Sequence, residues 1–118
     1  MANHVCYFEL MVSDTAKSQE FYGNVFDWKF AEYDNMPGYI SIDTGKEPSG
    51  GMMKKPEHVP ANSLSVYFFV DSIDETLAKV KGAGGQVLMG KTEIPDIGWW
   101  ALFMDLDQIP VMIYENKG

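Results

Sequence analysis

The sequence predicts an α+β fold: two βαβββ modules forming a curved mixed sheet, with a concave ligand-binding face inside and the helices outside. Three observations carry this. Two runs of apolar and aromatic residues, 5–12 and 63–70, each end in valine followed by a helix-capping pair, Ser13-Asp14 and Asp71-Ser72, and Val12 and Val70 lie about half of the 118-residue chain apart. A helical pattern follows each run. Three short strand-like runs, separated by turn residues, follow each helix.

The elements follow in chain order. Residues 5–12 read as a buried strand. Asp14 is the expected N-cap of a first helix, in which Phe21, Tyr22, Val25 and Phe26 form an i, i+1, i+4, i+5 apolar stripe. Strand-like runs come next at 28–33, 39–43 and 50–54, with turns at Asn35-Met36-Pro37-Gly38 and at 45–48. The proline-bearing stretch 56–62 reads as a linker, dividing a single domain (1–118) into module 1 (1–55) and module 2 (63–118). In module 2, Ser72 and Glu75 make a capping box, and Ile73, Leu77 and Val80 recur at i, i+4, i+7. Gly82, Gly84 and Gly85 stop that helix. Strands are expected at 86–89, 99–104 and 111–115, with turns at 95–98 and 105–107.

Composition bounds the function. The formal net charge is −8, every one of the 9 cations is lysine, and there are 2 histidines and 1 cysteine. An acidic chain without arginine is a poor partner for nucleic acid and for anionic membrane surfaces. A lone cysteine makes no intrachain disulfide or zinc site. The first residues have no cationic segment, and Glu9 interrupts their apolar run, so neither a signal peptide nor a membrane helix is expected and the expected compartment is the cytoplasm. Gly82-Ala83-Gly84-Gly85 follows a helix and reads as a stop, not a phosphate loop.

The chain resembles the vicinal oxygen chelate superfamily, the group of glyoxalases, bleomycin-resistance proteins and extradiol dioxygenases. The resemblance is carried by Phe8–Asp14 and by Ala16–Trp28 with its Phe21-Tyr22-x-x-Val25-Phe26-x-Trp28 stretch. In the second half, Tyr67–Asp74, Gly84-Gly85, Ile94–Gly98 and Met104–Asp107 carry it. The resemblance implies four inward strand positions that hold a divalent metal in the family's metalloenzymes. Here they fall on Tyr7, on Gly51 (Met52 or Met53 if the register slips), on Ser65 and on Met112. None is a good ligand for a hard or borderline cation, so no metal and no cofactor are expected. His4 has the wrong parity, and His58 lies in the linker. Homodimers are common among family members of this size.

Alternation along the strands sorts the faces. Tyr7, Glu9 and Met11, then Ser65, Tyr67 and Phe69, then Met112 and Tyr114 turn to the concave side. Cys6, Phe8, Leu10 and Val12 turn to the helices, leaving Cys6 a buried, inert thiol, and Glu115 ends its strand near solvent. Met52, Met53 and Met104 are further candidates for the concave side. Trp99 and Trp100 point opposite ways; either is the inward one, and Trp100 stands as the ligand-binding candidate. Aromatic and methionine walls suit a small apolar or aromatic molecule. Glu9 is the one candidate catalytic group, a general base or else an anchor for a cationic or hydrogen-donating ligand. The expected function is a metal-free small-molecule binder. The alternatives are a metal-dependent lyase, isomerase or dioxygenase of the glyoxalase type, and a protein-interaction or accessory module.

Overall fold

The computed structural model describes residues 2–34 and 36–117. The turn expected at 35–38 therefore begins on Asn35, which lies outside the described residues. The fold is α+β, and the elements run β1 (Val5–Val12), α1 (Thr15–Phe26), β2 (Lys29–Glu32), β3 (Ile40–Asp43), β4 (Gly50–Lys54), β5 (Ser63–Phe69), α2 (Ile73–Gly82), β6 (Gln86–Ile94), β7 (Gly98–Met104) and β8 (Pro110–Asn116). This is βαβββ twice, as the repeat requires. The chain divides into two compact units: an N-terminal unit, Cys6–Ser65, and a C-terminal unit, Val66–Gly118 together with Met1–Val5.

In the N-terminal unit the strand order is β2-β3-β4-β1. β1 runs parallel to β4, and β2, β3 and β4 pair antiparallel. The register sets Leu10 beside Met52 and Glu9 beside Gly51. Leu10, Ile40, Ile42 and Met52 form the buried core, with Phe8, Val12, Tyr22, Trp28 and Phe30 packed against it. Met52 is fully buried on this side, which removes it from the open face where the sequence left it as a candidate. The reason is the alternation of β4: Gly50 and Met52 turn inward, Gly51 and Met53 outward.

Helix α1 departs from its expected packing. Asp14 caps it, accepting from the Lys17 backbone N–H at 3.1 Å, and Asp27 closes it in the left-handed conformation (φ 61°). Yet Phe21, Val25 and Phe26 are 59%, 54% and 56% exposed. The partly buried residues are Thr15, Ser18, Gln19, Tyr22 and Gly23, an i, i+3, i+4, i+7, i+8 stripe of small and polar side chains plus one tyrosine. Tyr22 is the only member of the expected stripe that packs against the core, stacking on Trp28 with ring centroids 5.4 Å apart.

In the C-terminal unit the order is β5-β8-β7-β6, with β5 parallel to β8 and the rest antiparallel. Val70, Ile73, Leu77, Ala101 and Ile113 form its core beneath α2, with Phe68, Val87, Trp99 and Phe103 around them. Full burial of a side chain such as Ile73 contributes about 1.5–3 kcal/mol. Ser72 caps α2, accepting from the Glu75 N–H at 3.2 Å. Glu115 does more than end its strand near solvent: its Oε1 accepts from the Ile73 N–H at 2.7 Å, satisfying the first turn of α2 with an anion where the helix dipole favours one. β6 runs five residues past its expected end, absorbing Gly90 by register shifts between Val87 and Met89 and between Met89 and Thr92.

Candidate functional site

The N-terminal unit carries a polar cluster on the face turned away from its core. Tyr7 and Glu9 project there from β1. Because Gly51 lies beside Glu9, the neighbouring position on β4 offers no side chain. Tyr39, immediately before β3, fills that space: a Cβ on Gly51 would stand 1.8 Å from the Tyr39 hydroxyl and 2.4 Å from that of Tyr7. Gly50 plays the same part on the other face, where a Cβ would lie 2.5 Å from the Phe8 ring. Two adjacent glycines thus let one aromatic side chain close over each face of β4.

Glu9 is 9% exposed, the one charged residue in the buried class among the described residues. The Tyr39 hydroxyl donates to Glu9 Oε2 at 2.9 Å, and the Tyr7 and Tyr39 hydroxyl oxygens are 2.6 Å apart. A phenol has one proton. With that of Tyr39 directed at Glu9, the Tyr7 hydroxyl supplies the proton of the shared bond. The chain of donation therefore runs from Tyr7 to Tyr39 to Glu9. Burial, with the Glu9 charge beside it, holds the Tyr39 phenol far above its ordinary range; burial and the same charge also raise Tyr7. Both hydroxyls therefore stay protonated donors at physiological pH.

The C-terminal unit's open face is aromatic. Phe68, Ile113, Ala101 and Phe103 belong to the core side, so alternation places Tyr67, Phe69, Met112, Tyr114, Trp100, Leu102 and Met104 opposite. The register aligns Tyr67 with Met112, Phe69 with Tyr114, and Trp100 with Tyr114. Phe69 lies against Tyr114 (6.4 Å between centroids) and against exposed His4 (5.6 Å). The Tyr114 hydroxyl donates to the Ile97 carbonyl at 3.1 Å. Trp99 is the helix-side indole, with the Lys91 ammonium 4.4 Å from its ring centroid, and Trp100 is on the open face. Ser65, at the edge of the N-terminal unit, is partly buried, whereas His58 is exposed. Cys6 is partly rather than fully buried, its thiol pushed up by desolvation.

The residues at the positions where the resemblance places a cation are poor donors for one. Gly51 presents no donor, and its space holds the Tyr39 and Tyr7 hydroxyls. A phenol kept protonated, a serine hydroxyl and a thioether do not form a divalent-metal set. Among the described residues, no group of three or more His, Cys, Asp and Glu is close enough to hold a metal ion.

Comparisons with known proteins agree with this architecture. Residues 4–45 match the family described as bleomycin resistance protein-like N-terminal. Over 67 residues the chain is 39% identical to a protein of Mycobacterium bovis named "Putative glyoxylase CFP32", and equally to its counterpart in Mycobacterium tuberculosis. The Mn(II)-bound glyoxalase of Novosphingobium aromaticivorans superposes with a TM-score of 0.71 at 16% identity, over 97% of this chain and 39% of that one. The fold is that of the vicinal oxygen chelate superfamily. The mycobacterial match covers 57% of this chain and only 26% of those longer relatives. An extradiol ring-cleaving dioxygenase from B. fuscum shows the superfamily fold again, with a TM-score of 0.74 at 21% identity over 99% of this chain and 33% of that one. At such identities the two solved structures speak for the fold alone.

Tyr39 is the member of the cluster that the sequence reading did not name: it is the first residue of the expected strand 39–43, opposite in parity to the core residues Ile40 and Ile42, and the strand itself begins one residue later. The signal available was Gly50-Gly51 inside a strand pattern, which marks the close approach of another group.

Proposed function

We propose that this superfamily member is a small-molecule-binding protein of the glyoxalase and bleomycin-resistance type that works without the superfamily's metal. The observation that carries the reading is the occupation of the space over Gly51 by two protonated phenols hydrogen-bonded to a buried carboxylate. The aromatic open face of the C-terminal unit supports an apolar or aromatic ligand, with Tyr67, Phe69, Trp100, Met112 and Tyr114 as its contacts. On the N-terminal unit's own open face, Tyr7, Glu9 and Ser65 are the polar candidates for ligand contact, and Glu9 is the group to test for acid–base chemistry. The test is elemental analysis of protein purified without chelator, with a thermal-shift screen of aromatic and antibiotic-like compounds run with and without EDTA. The expected result is a substoichiometric metal content and a ligand-induced rise in midpoint that EDTA leaves unchanged. One tightly held divalent metal per chain overturns the reading in favour of a metal-dependent lyase, isomerase or dioxygenase. A screen without any hit favours an accessory interaction module.

The same reading includes a homodimer, supported by the apolar residues that α1 turns outward. Phe21, Val25 and Phe26 stay more than half exposed although Phe26 touches Trp28 and Phe21 touches Tyr22, and a second copy is the occupant that would cover them. Light scattering of the Phe21→Ser/Phe26→Ser protein is expected to give a monomer where the parent gives a dimer. Among the described residues no helix is long and apolar enough to cross a membrane. The lone thiol suits a reducing compartment, and the cytoplasm is the proposed location.

A further inference from the structure

We propose that the apolar residues of α1 seat in a pocket at the end of α2 of a second copy of the chain, each copy giving its own helix and receiving its partner's. The inference rests on the homodimer reading above and specifies the surface that receives α1. The C-terminal unit carries an apolar pocket of about 180 Å³ between the last turn of α2 and the β7–β8 turn, with Val80, Ala83, Phe103, Met104 and Leu106 in its walls. The chain leaves it unfilled. Ala83 offers one methyl, and Gly85 has to stay bare, since a Cβ there would lie 2.7 Å from Val80 Cγ1 and 2.9 Å from the Met104 carbonyl oxygen. A cavity of about 150 Å³ with aliphatic and aromatic walls takes a benzene ring, so this one has room for a phenylalanine ring. Its rim protrudes: Leu106 and Ile109 are 74% and 54% exposed. Asp105 holds that turn, its Oδ1 accepting from the Asp107 and Ile109 N–H groups at 2.8 and 2.9 Å.

Area and charge name the occupant. Phe21, Val25 and Phe26 leave about 300 Å² of apolar surface in water, whereas a stable pair needs about 800 Å² per partner. Helix α1 packed on the α1 of a second copy falls far short of that. Exchanged against the end of α2, each copy contributes both patches, which about doubles the apolar area before the polar rim is counted. Two copies of a chain with net charge −8 repel each other unless acids meet lysines. Exposed Glu20 adjoins Phe21, and exposed Lys79 and Lys81 stand on the last turn of α2, outside the ion pairs of the described residues.

The test is the mass of the full chain across a dilution series, read by light scattering and sedimentation equilibrium. The parent is expected to be a dimer that dissociates to monomers on dilution. Ala83→Leu, which plugs the pocket from an exposed position, and Leu106→Ser, which removes its rim, are each expected to raise the dissociation constant about tenfold or more. Leu88→Ser, at an exposed leucine of β6 outside the pocket, is expected to leave it unchanged. Cross-linking reads the pairing itself. In a Cys6→Ser background, Val25→Cys and Ala83→Cys proteins are expected to form a disulfide-linked dimer when mixed and oxidised, and neither is expected to do so by itself. A Val25→Cys protein that cross-links as well alone as in the mixture puts α1 against α1 and overturns the proposal. So does a dissociation constant unmoved by both pocket variants where Phe21→Ser/Phe26→Ser gives a monomer, and the homodimer reading then survives without this surface. A parent whose mass keeps rising with concentration overturns the closed exchange, and a parent that stays monomeric overturns it together with the homodimer reading. Should Ala83→Leu not fold by circular dichroism, Leu106→Ser and the cross-linking decide.

Discussion

Adding a single methyl group at Gly51 is expected to unfold a disproportionate part of this protein's stability. The new Cβ would lie 1.8 Å from the Tyr39 hydroxyl, 2.3 Å from its Cζ and 2.4 Å from the Tyr7 hydroxyl. Ordinary contact begins at 3.4 Å, so both phenols must retreat by an ångström or more. Movement of that size breaks the 2.9 Å bond to Glu9 and the 2.6 Å bond between the tyrosines. Overpacking of a filled site costs about 1–3 kcal/mol. Losing a hydrogen bond to a buried charge costs about 1.5–3 kcal/mol. The two terms together bound the expected penalty for Gly51→Ala at about 2.5–6 kcal/mol, with about 3–5 kcal/mol as its middle range. An unfolding entropy of about 2.1 cal/mol/K per residue converts this, for a chain of this size, to a midpoint lower by about 12–20 °C. Circular dichroism melting and urea titration followed by tryptophan fluorescence both read it. The decisive control is the Tyr39→Ala background, in which the closest obstruction is gone and only the Tyr7 hydroxyl must still give way, so the same substitution should cost clearly less than in the parent. A Gly51→Ala protein within about 1 kcal/mol of the parent, or one equally destabilised in both backgrounds, would refute the reasoning.

Other outcomes follow from the same geometry. Both the Tyr7 and the Tyr39 phenol are raised above 10.0 in the folded state, so above the unfolded phenol's pKa the native state holds the protons longer. Their contribution to stability is complete below pH 10 and is lost progressively as pH rises beyond it. In the native protein, Tyr39→Phe should leave the tyrosinate absorbance at about pH 11 unchanged, because that phenol is not ionised there. Glu115→Ala removes the acceptor of the Ile73 N–H and the ion pair with Lys91 at 3.4 Å, and should cost about 1–2 kcal/mol in a urea titration. Lys91→Ala, which leaves the helix contact in place, should cost less than about 1 kcal/mol. Disulfide exchange at Cys6 with an aromatic disulfide reagent should be slower in the native than in the urea-unfolded protein, since desolvation raises the thiol and lowers its thiolate fraction.

Much of the fold was legible because it is written in local pattern. The apolar runs of β1 and β5 have period-2 faces that the core then obeys, with Leu10 and Phe68 inside and Glu9 and Tyr67 outside. The caps Asp14 and Ser72 stop the backbone at the expected residues because an N-cap needs only a side-chain oxygen three residues before a free N–H. Helix α1 shows where pattern misleads. Its phenylalanines promise a buried stripe, but amphipathicity states only that a face must be covered, not by what. Its own sheet takes Ser18, Tyr22 and Gly23 instead, and Phe21, Val25 and Phe26 stay more than half exposed even where they touch Tyr22 and Trp28.

The sequence by itself determined the βαβββ repeat and the strand faces, because each follows from residue type and a period of 2 or 3.6. Only the tertiary structure decided what stands in place of a ligand on β4. Glycine specifies an empty volume and leaves its occupant open. Tyr39 comes to it from another strand's approach, 12 positions earlier in the chain, and turns Tyr7 and Glu9 from two members of one strand face into a directed hydrogen-bond chain.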